Sequence, residues 1–167
     1  MSKSKKLCSA SGFTLVELLV TITILCLLLF AAVPLVNNWV YSAQTREART
    51  KLVQAYGTAK ALALRNPDQA GAPPAAAAGL RIVTTGSVST LLVCKGDPTA
   101  TACAMGGANL YWNAALPSNV GIVIAGVTAT ATAPQTIGIT SRGIPTSATS
   151  YTVSRGGAQN NEASTLY

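Results

Sequence analysis

The residues able to do chemistry in this chain are few and far apart. Histidine is absent, which removes the commonest general base and metal ligand at neutral pH. Of the five carboxylates, three lie beyond residue 50: Asp68, Asp97 and Glu162. Their separations match no acid/base pair. Serines and threonines abound, yet none sits in a nucleophile-elbow pattern. The expectation is therefore a protein that is not an enzyme, with no catalytic residue, no metal and no cofactor. Two features remain. Cys94 and Cys103 bracket the Gly-Asp-Pro turn of "CKGDPTATAC" and read as a disulfide made in an oxidising compartment, worth roughly 2–3 kcal/mol by loop closure. The alternative, a metal clip, lacks the further ligands that structural zinc needs. The other feature is Glu17, the one charge inside an apolar run, where an unpaired carboxylate costs a few kcal/mol and signals function.

The elements that hold these residues begin with a basic stretch containing Lys3, Lys5 and Lys6. From Leu18 to Val36 come nineteen residues without a charge, long enough as a helix, at roughly 28 Å, to span a hydrocarbon core. Lysines ahead of such a run place the N-terminus in the cytoplasm and the body outside it. A cleaved secretory signal would have a shorter apolar core, although "FAAVP" at 30–34 imitates its cleavage site. A plain anchor fits the length and leaves Glu17 unexplained. Pro34 should loosen the helix near its own position. Cys26 reads as a small apolar residue, and Trp39 and Tyr41 suit a membrane–water interface or packing against neighbours.

"GFTLVELLVTITIL" after a short basic stretch resembles the class III signal of type IV pilins and type II secretion pseudopilins. The resemblance covers about 25 residues. It implies that a prepilin peptidase cuts between Gly12 and Phe13, leaving the helix attached, and that Phe13 is then N-methylated. Glu17 falls at the family's glutamate position, where it would pair with the Phe13 amine of a neighbouring subunit during assembly. Pro34 falls where many pilins carry a helix-loosening proline. Such a buried pair adds little stability but is costly to break, so it fixes register.

Further along, Ala48, Leu52, Tyr56, Ala59 and Ala63 recur at helical spacing as one apolar stripe, with Arg46, Glu47, Arg49, Lys51 and Lys60 largely off it. "RNPD" at 65–68 should end that helix. Residues 67–79 read as a loop. Beyond it "LRIVTT", "SVSTLLVC", "NLYWNA", "VGIVIAGVTATAT", "QTIGIT" and "SYTVS" read as short strands with short, hence antiparallel, connections. The expected organisation is a 1–12 leader, a 13–36 transmembrane and filament-core helix, a 37–66 amphipathic helix and a 67–167 β-rich head. The fold class is α+β: a long N-terminal helix, curved or kinked, packed on a C-terminal antiparallel β domain.

The C-terminal "IGITSRGIPTSATSYTVSRGG" and the helical "KLVQAYGTAKALALRN" resemble GspH/FimT-type minor pilins. The early position of the disulfide also favours a minor over a major pilin. In some such proteins basic C-terminal loops serve DNA uptake. Here Arg142 and Arg155 lie in two Ser-Arg-Gly segments that would sit side by side if their strands paired. Two such contacts give only weak, salt-sensitive binding. The charge supports no stronger statement: from Phe13 onward there are nine basic and five acidic residues, scattered. A type II secretion minor pseudopilin shares the N-terminal motif. The resemblance thus implies a minor pilin serving pilus biogenesis, twitching motility or DNA uptake. Its partners would be other pilin subunits, prepilin peptidase, the inner-membrane assembly platform and membrane lipid before assembly, with DNA as the alternative. Its place would be a single-pass inner-membrane protein with a periplasmic head, passing into an extracellular pilus or periplasmic pseudopilus.

Overall fold

The computed structural model describes residues 12–71, 75–125, 127–128, 133–155 and 161–167, with the side chains at 31, 33–35 and 127 excepted. The leader expected over 1–12 therefore lies almost wholly outside the described residues, as does the end of the strand expected over 120–132. The chain is α+β: among the described residues one long helix, α1 (Leu15–Arg65), precedes eight strands. Contacts divide it into two units, Met1–Asn38 and Trp39–Tyr167. The helix assignment runs through position 34. The loosening expected at Pro34 concerns a side chain outside the described set. Among the described residues no helix is long and apolar enough to cross a membrane. The span expected over 13–36 thus has no counterpart there, and it includes those undescribed side chains.

The second unit obeys the periodicity of its sequence. Ala48, Leu52, Ala55, Tyr56, Ala59, Leu62 and Ala63 form one buried face of α1, while Arg46, Glu47 and Arg49 point to solvent. Small alanines alternate with Leu and Tyr on this face, which lets a sheet approach closely. The helix stops at Arg65 because Asn66 adopts a left-handed backbone (φ 43°) ahead of Pro67. The Asn66 amide oxygen then accepts the Ala70 N–H at 2.8 Å, closing the turn.

The described strands form two antiparallel four-stranded sheets. β1 (Ala78–Thr85), β2 (Val88–Lys95), β3 (Leu110–Ala115) and β6 (Gln135–Ile139) take the order β3-β2-β1-β6. β4 (Val120–Ile124), β5 (Val127–Thr128), β7 (Ser150–Arg155) and β8 (Glu162–Thr165) take the order β5-β4-β7-β8. Alternate residues from both sheets, among them Leu80, Ile82, Leu91, Val93, Ile122, Ile124, Ile137 and Val153, join the helix stripe in one core. Close packing requires glycine in β1. A Cβ on Gly79 would lie 2.5 Å from the Pro98 ring.

β2 is buried on both faces, and its run "LLVC" is continuous rather than alternating for that reason. Leu92 and Cys94 turn away from the main core and form a second cluster with Cys103, flanked by Val83 and Leu110. Cys94 and Cys103 are disulfide-bonded, with Cα atoms 5.6 Å apart. Arg81 Nη1 donates to the Ala100 carbonyl at 3.1 Å, fastening the same loop to β1. Replacing both cysteines by serine is expected to cost roughly 2–3 kcal/mol and to lower the melting midpoint by roughly 5–15 °C. Thermal scans of oxidised protein and double variant check this, and equal midpoints would refute it.

Tyr56 is 3% exposed, and burial holds its phenol above its ordinary value of about 10. A raised folded value means the associated stability is complete below the unfolded value and is lost as pH rises through the folded one. The head is therefore expected to weaken in strong alkali, and Tyr56→Phe to remove that component. Melting midpoints of the two proteins on either side of about pH 10 should diverge. Parallel curves would refute the assignment.

Candidate assembly site at the head of the helix

Gly12, Phe13 and Thr14 precede the helix and are exposed. Among the described residues a Cβ placed on Gly12 would meet nothing within 4 Å. Thr14 caps the helix: its Oγ1 accepts the Glu17 N–H at 3.2 Å, and its carbonyl accepts the Leu18 N–H at 3.1 Å. Thr14 and Glu17 stand in the Thr-x-x-Glu spacing of a capping box, and a carboxylate in the first turn also suits the positive end of the helix dipole. Sequence reasoning missed this cap, although the spacing was available to find it. The cap is thus the Thr14 hydroxyl, worth about 1 kcal/mol, to which a first-turn carboxylate at Glu17 adds about 0.3–1 kcal/mol through the helix dipole.

The surface beyond the cap has a second requirement. Leu15, Val16, Leu18, Leu19, Val20, Ile22, Ile24, Leu25 and Leu27 to Phe30 are all exposed, with Phe30 at 80%. At about 100° per residue, consecutive exposed apolar positions ring the helix and leave no polar face. The two polar residues in this stretch turn inward: Thr21 Oγ1 donates to the Leu18 carbonyl and Thr23 Oγ1 to the Leu19 carbonyl, each at 2.8 Å. Their hydroxyls need no water, as an apolar environment demands. Cys26 is a free, exposed thiol on the same surface. Glu17, exposed and at its start, is the one charged side chain from Leu15 to Phe30.

The two C-terminal arginines expected to stand together do not share a sheet. Arg142 is exposed in the turn after β6, which pairs with β1. Arg155 ends β7, which pairs with β4 and β8 in the other sheet. The strand pairing that would have aligned them is absent, because the β6–β7 connection crosses between sheets. Arg155 is half-buried, and its guanidinium carbon lies 4.1 Å from the centre of the Tyr41 ring. Tyr41 is half-buried beside this guanidinium, whereas Trp39 is exposed. A third arginine was not singled out as a site residue from the sequence. Arg49 Nε donates to the Tyr151 hydroxyl at 3.2 Å, and Nη1 to Glu162 at 3.3 Å. The Tyr151 hydroxyl, and after it the charge of Glu162, raises the pKa of this guanidinium. Neither Tyr151 nor Glu162 is near Arg49 in sequence, so only the folded chain reveals the cluster.

Residues 8–33 match the family model described as the prokaryotic N-terminal methylation motif. No curated protein matches the chain, and no solved structure does.

Proposed function

We propose, for a chain whose N-terminal methylation signal makes it a type IV pilin-like or pseudopilin protein, that it serves as a minor pilin of a type IV pilus. Prepilin peptidase cuts between Gly12 and Phe13, and Phe13 is methylated. The helix is held in the inner membrane and then passes into the filament core. Its mechanism is assembly rather than catalysis. The observation that carries this reading is the apolar surface on every side of Leu15–Phe30, which must be covered by lipid or by other helices.

The minor role draws support from the disulfide. Cys94–Cys103 staples the loop beyond β2 in the middle of the head, and six of the described strands come after it. Cross-linking and mass spectrometry of sheared surface filaments, quantifying this subunit against the dominant one, test the reading. A trace amount, together with failed assembly when the gene is deleted, is the expected result. Recovery as the bulk of the filament would make it a major pilin. Its absence from surface filaments, with exoprotein secretion lost on deletion, would make it a secretion pseudopilin.

A further inference from the structure

Met105 stands at a corner of the loop that the disulfide staples. The Gly107 N–H donates to the Ala104 carbonyl at 2.9 Å, and Gly106 takes a left-handed backbone (φ 75°). Residues 104–107 therefore form a tight turn, with Met105 at its first corner. Cys103, two residues earlier, is fully buried and bonded to Cys94, which anchors the turn to β2. Met105 itself is 63% exposed. Its sulfur is nevertheless held: the Asn113 side-chain amide on β3 donates to Met105 Sδ at 3.3 Å. Beyond Cys26 the chain has three sulfur-bearing residues, Cys94, Cys103 and Met105. The first two are closed to solvent in their disulfide, which leaves Met105 as the exposed sulfur of the head. The other methionine, Met1, precedes the Gly12–Phe13 bond.

We propose that Met105 is a stereoselective oxidation site, which takes an oxygen atom from hydrogen peroxide under the direction of Asn113. A sulfur lone pair attacks one peroxide oxygen and the O–O bond breaks. The departing hydroxide takes the proton from the new S–OH group, giving methionine sulfoxide and water. The sulfur is oxidised and the peroxide reduced. A thioether has two lone pairs, and attack through one or the other gives opposite sulfoxide epimers. The Asn113 amide occupies one of them, so the oxidant reaches sulfur through the other and one epimer forms in excess. An exposed methionine without such a partner would give both equally. The product puts a polar S=O group where an apolar side chain stood, near the exposed Asn113 of β3. The buried disulfide is spared, so the surface changes while the fold holds. Repair by methionine sulfoxide reductase takes one enzyme per epimer, so a site forming mainly one epimer depends mainly on one reductase. The proposal does not depend on which filament the subunit joins.

The test treats the full-length protein in detergent micelles with hydrogen peroxide until part of Met105 is converted. After proteolysis the Met105 peptide is divided between the two epimer-specific methionine sulfoxide reductases, and the sulfoxide left by each is measured by mass spectrometry. Met1 and Cys26 fall on other peptides, so their oxidation is counted apart. One epimer is expected to exceed the other at least about threefold, a bias that one neutral hydrogen bond can support. N113A is expected to bring the two epimers to about equal amounts, and Asn113 is exposed, so the variant keeps its fold. Wild-type protein oxidised in guanidinium chloride, where the Asn113 contact is gone, should also give equal amounts and keeps the proposal testable if N113A misfolds. No peroxide-dependent sulfoxide at Met105, equal epimers in the native protein, or a bias that persists in N113A or after unfolding would each overturn it.

Discussion

Glu17→Val is expected to leave the protein in the membrane fraction and to remove it from the filament, reducing incorporation at least about tenfold. Two effects of different size act at this residue. Loss of the first-turn carboxylate at the start of α1 costs at most about 1 kcal/mol, and the Thr14 hydroxyl that accepts the Glu17 N–H at 3.2 Å survives the change. In the proposed assembly Glu17 pairs with the Phe13 amine of a neighbouring subunit, and removing one partner of such a buried pair costs about 3–5 kcal/mol. The second term exceeds the first and decides the outcome. Glu17→Gln separates them, because glutamine can serve in a capping box but carries no charge. Incorporation counted by immunoblot of sheared filaments should fail in both variants. Recovery with glutamine would show that Glu17 acts through the cap, and normal incorporation with valine would dispose of the assembly role.

Leu52→Ala carries the largest expected effect on the head itself. Leu52 is fully buried on the helix stripe, within a core that draws on both sheets. Truncating such a leucine removes transfer energy and leaves a cavity, and costs about 2–5 kcal/mol. Neighbouring alanines at 48, 55 and 59 are too small to move in and fill it, which places the expected loss in the upper half of that range. Denaturant unfolding of full-length protein in detergent should show an earlier midpoint at unchanged slope. Exposed Val53, one residue along, is the control: Val53→Ala should change stability by less than about 0.5 kcal/mol. Equal losses at the two positions would mean that the helix does not pack on the sheets through this stripe.

What was legible in the sequence was what local chemistry decides. The helix stripe could be read because 3.6-residue periodicity and burial coincide at Ala48, Leu52, Tyr56, Ala59 and Ala63. The strands rich in Val, Ile and Thr could be read for the same kind of reason. β8 could not. "EAST" contains one β-branched residue and no alternation, and it is a strand because it pairs with β7 along a largely exposed edge. The division into two sheets was equally hidden, since it depends on which strands meet across the core. Arg155 was misread for that reason. Its Ser-Arg-Gly context reads as a turn like that of Arg142, yet pairing with β4 makes it the end of a strand and folds its guanidinium onto Tyr41. The signal at Gly12–Glu17 was legible because a short linear string specifies it.

The late arrival of β8 has a consequence for how the head is made. β7 is paired on one side by β4 and on the other by β8, and Glu162 at the start of β8 is tied to Arg49 on the helix. Until residues 162–165 emerge, the "SYTVSR" strand presents an open row of N–H and C=O groups, the kind of edge on which chains template one another. A chain stopped before β8 is therefore expected to aggregate more readily than one that carries it, because the β7 edge stays open.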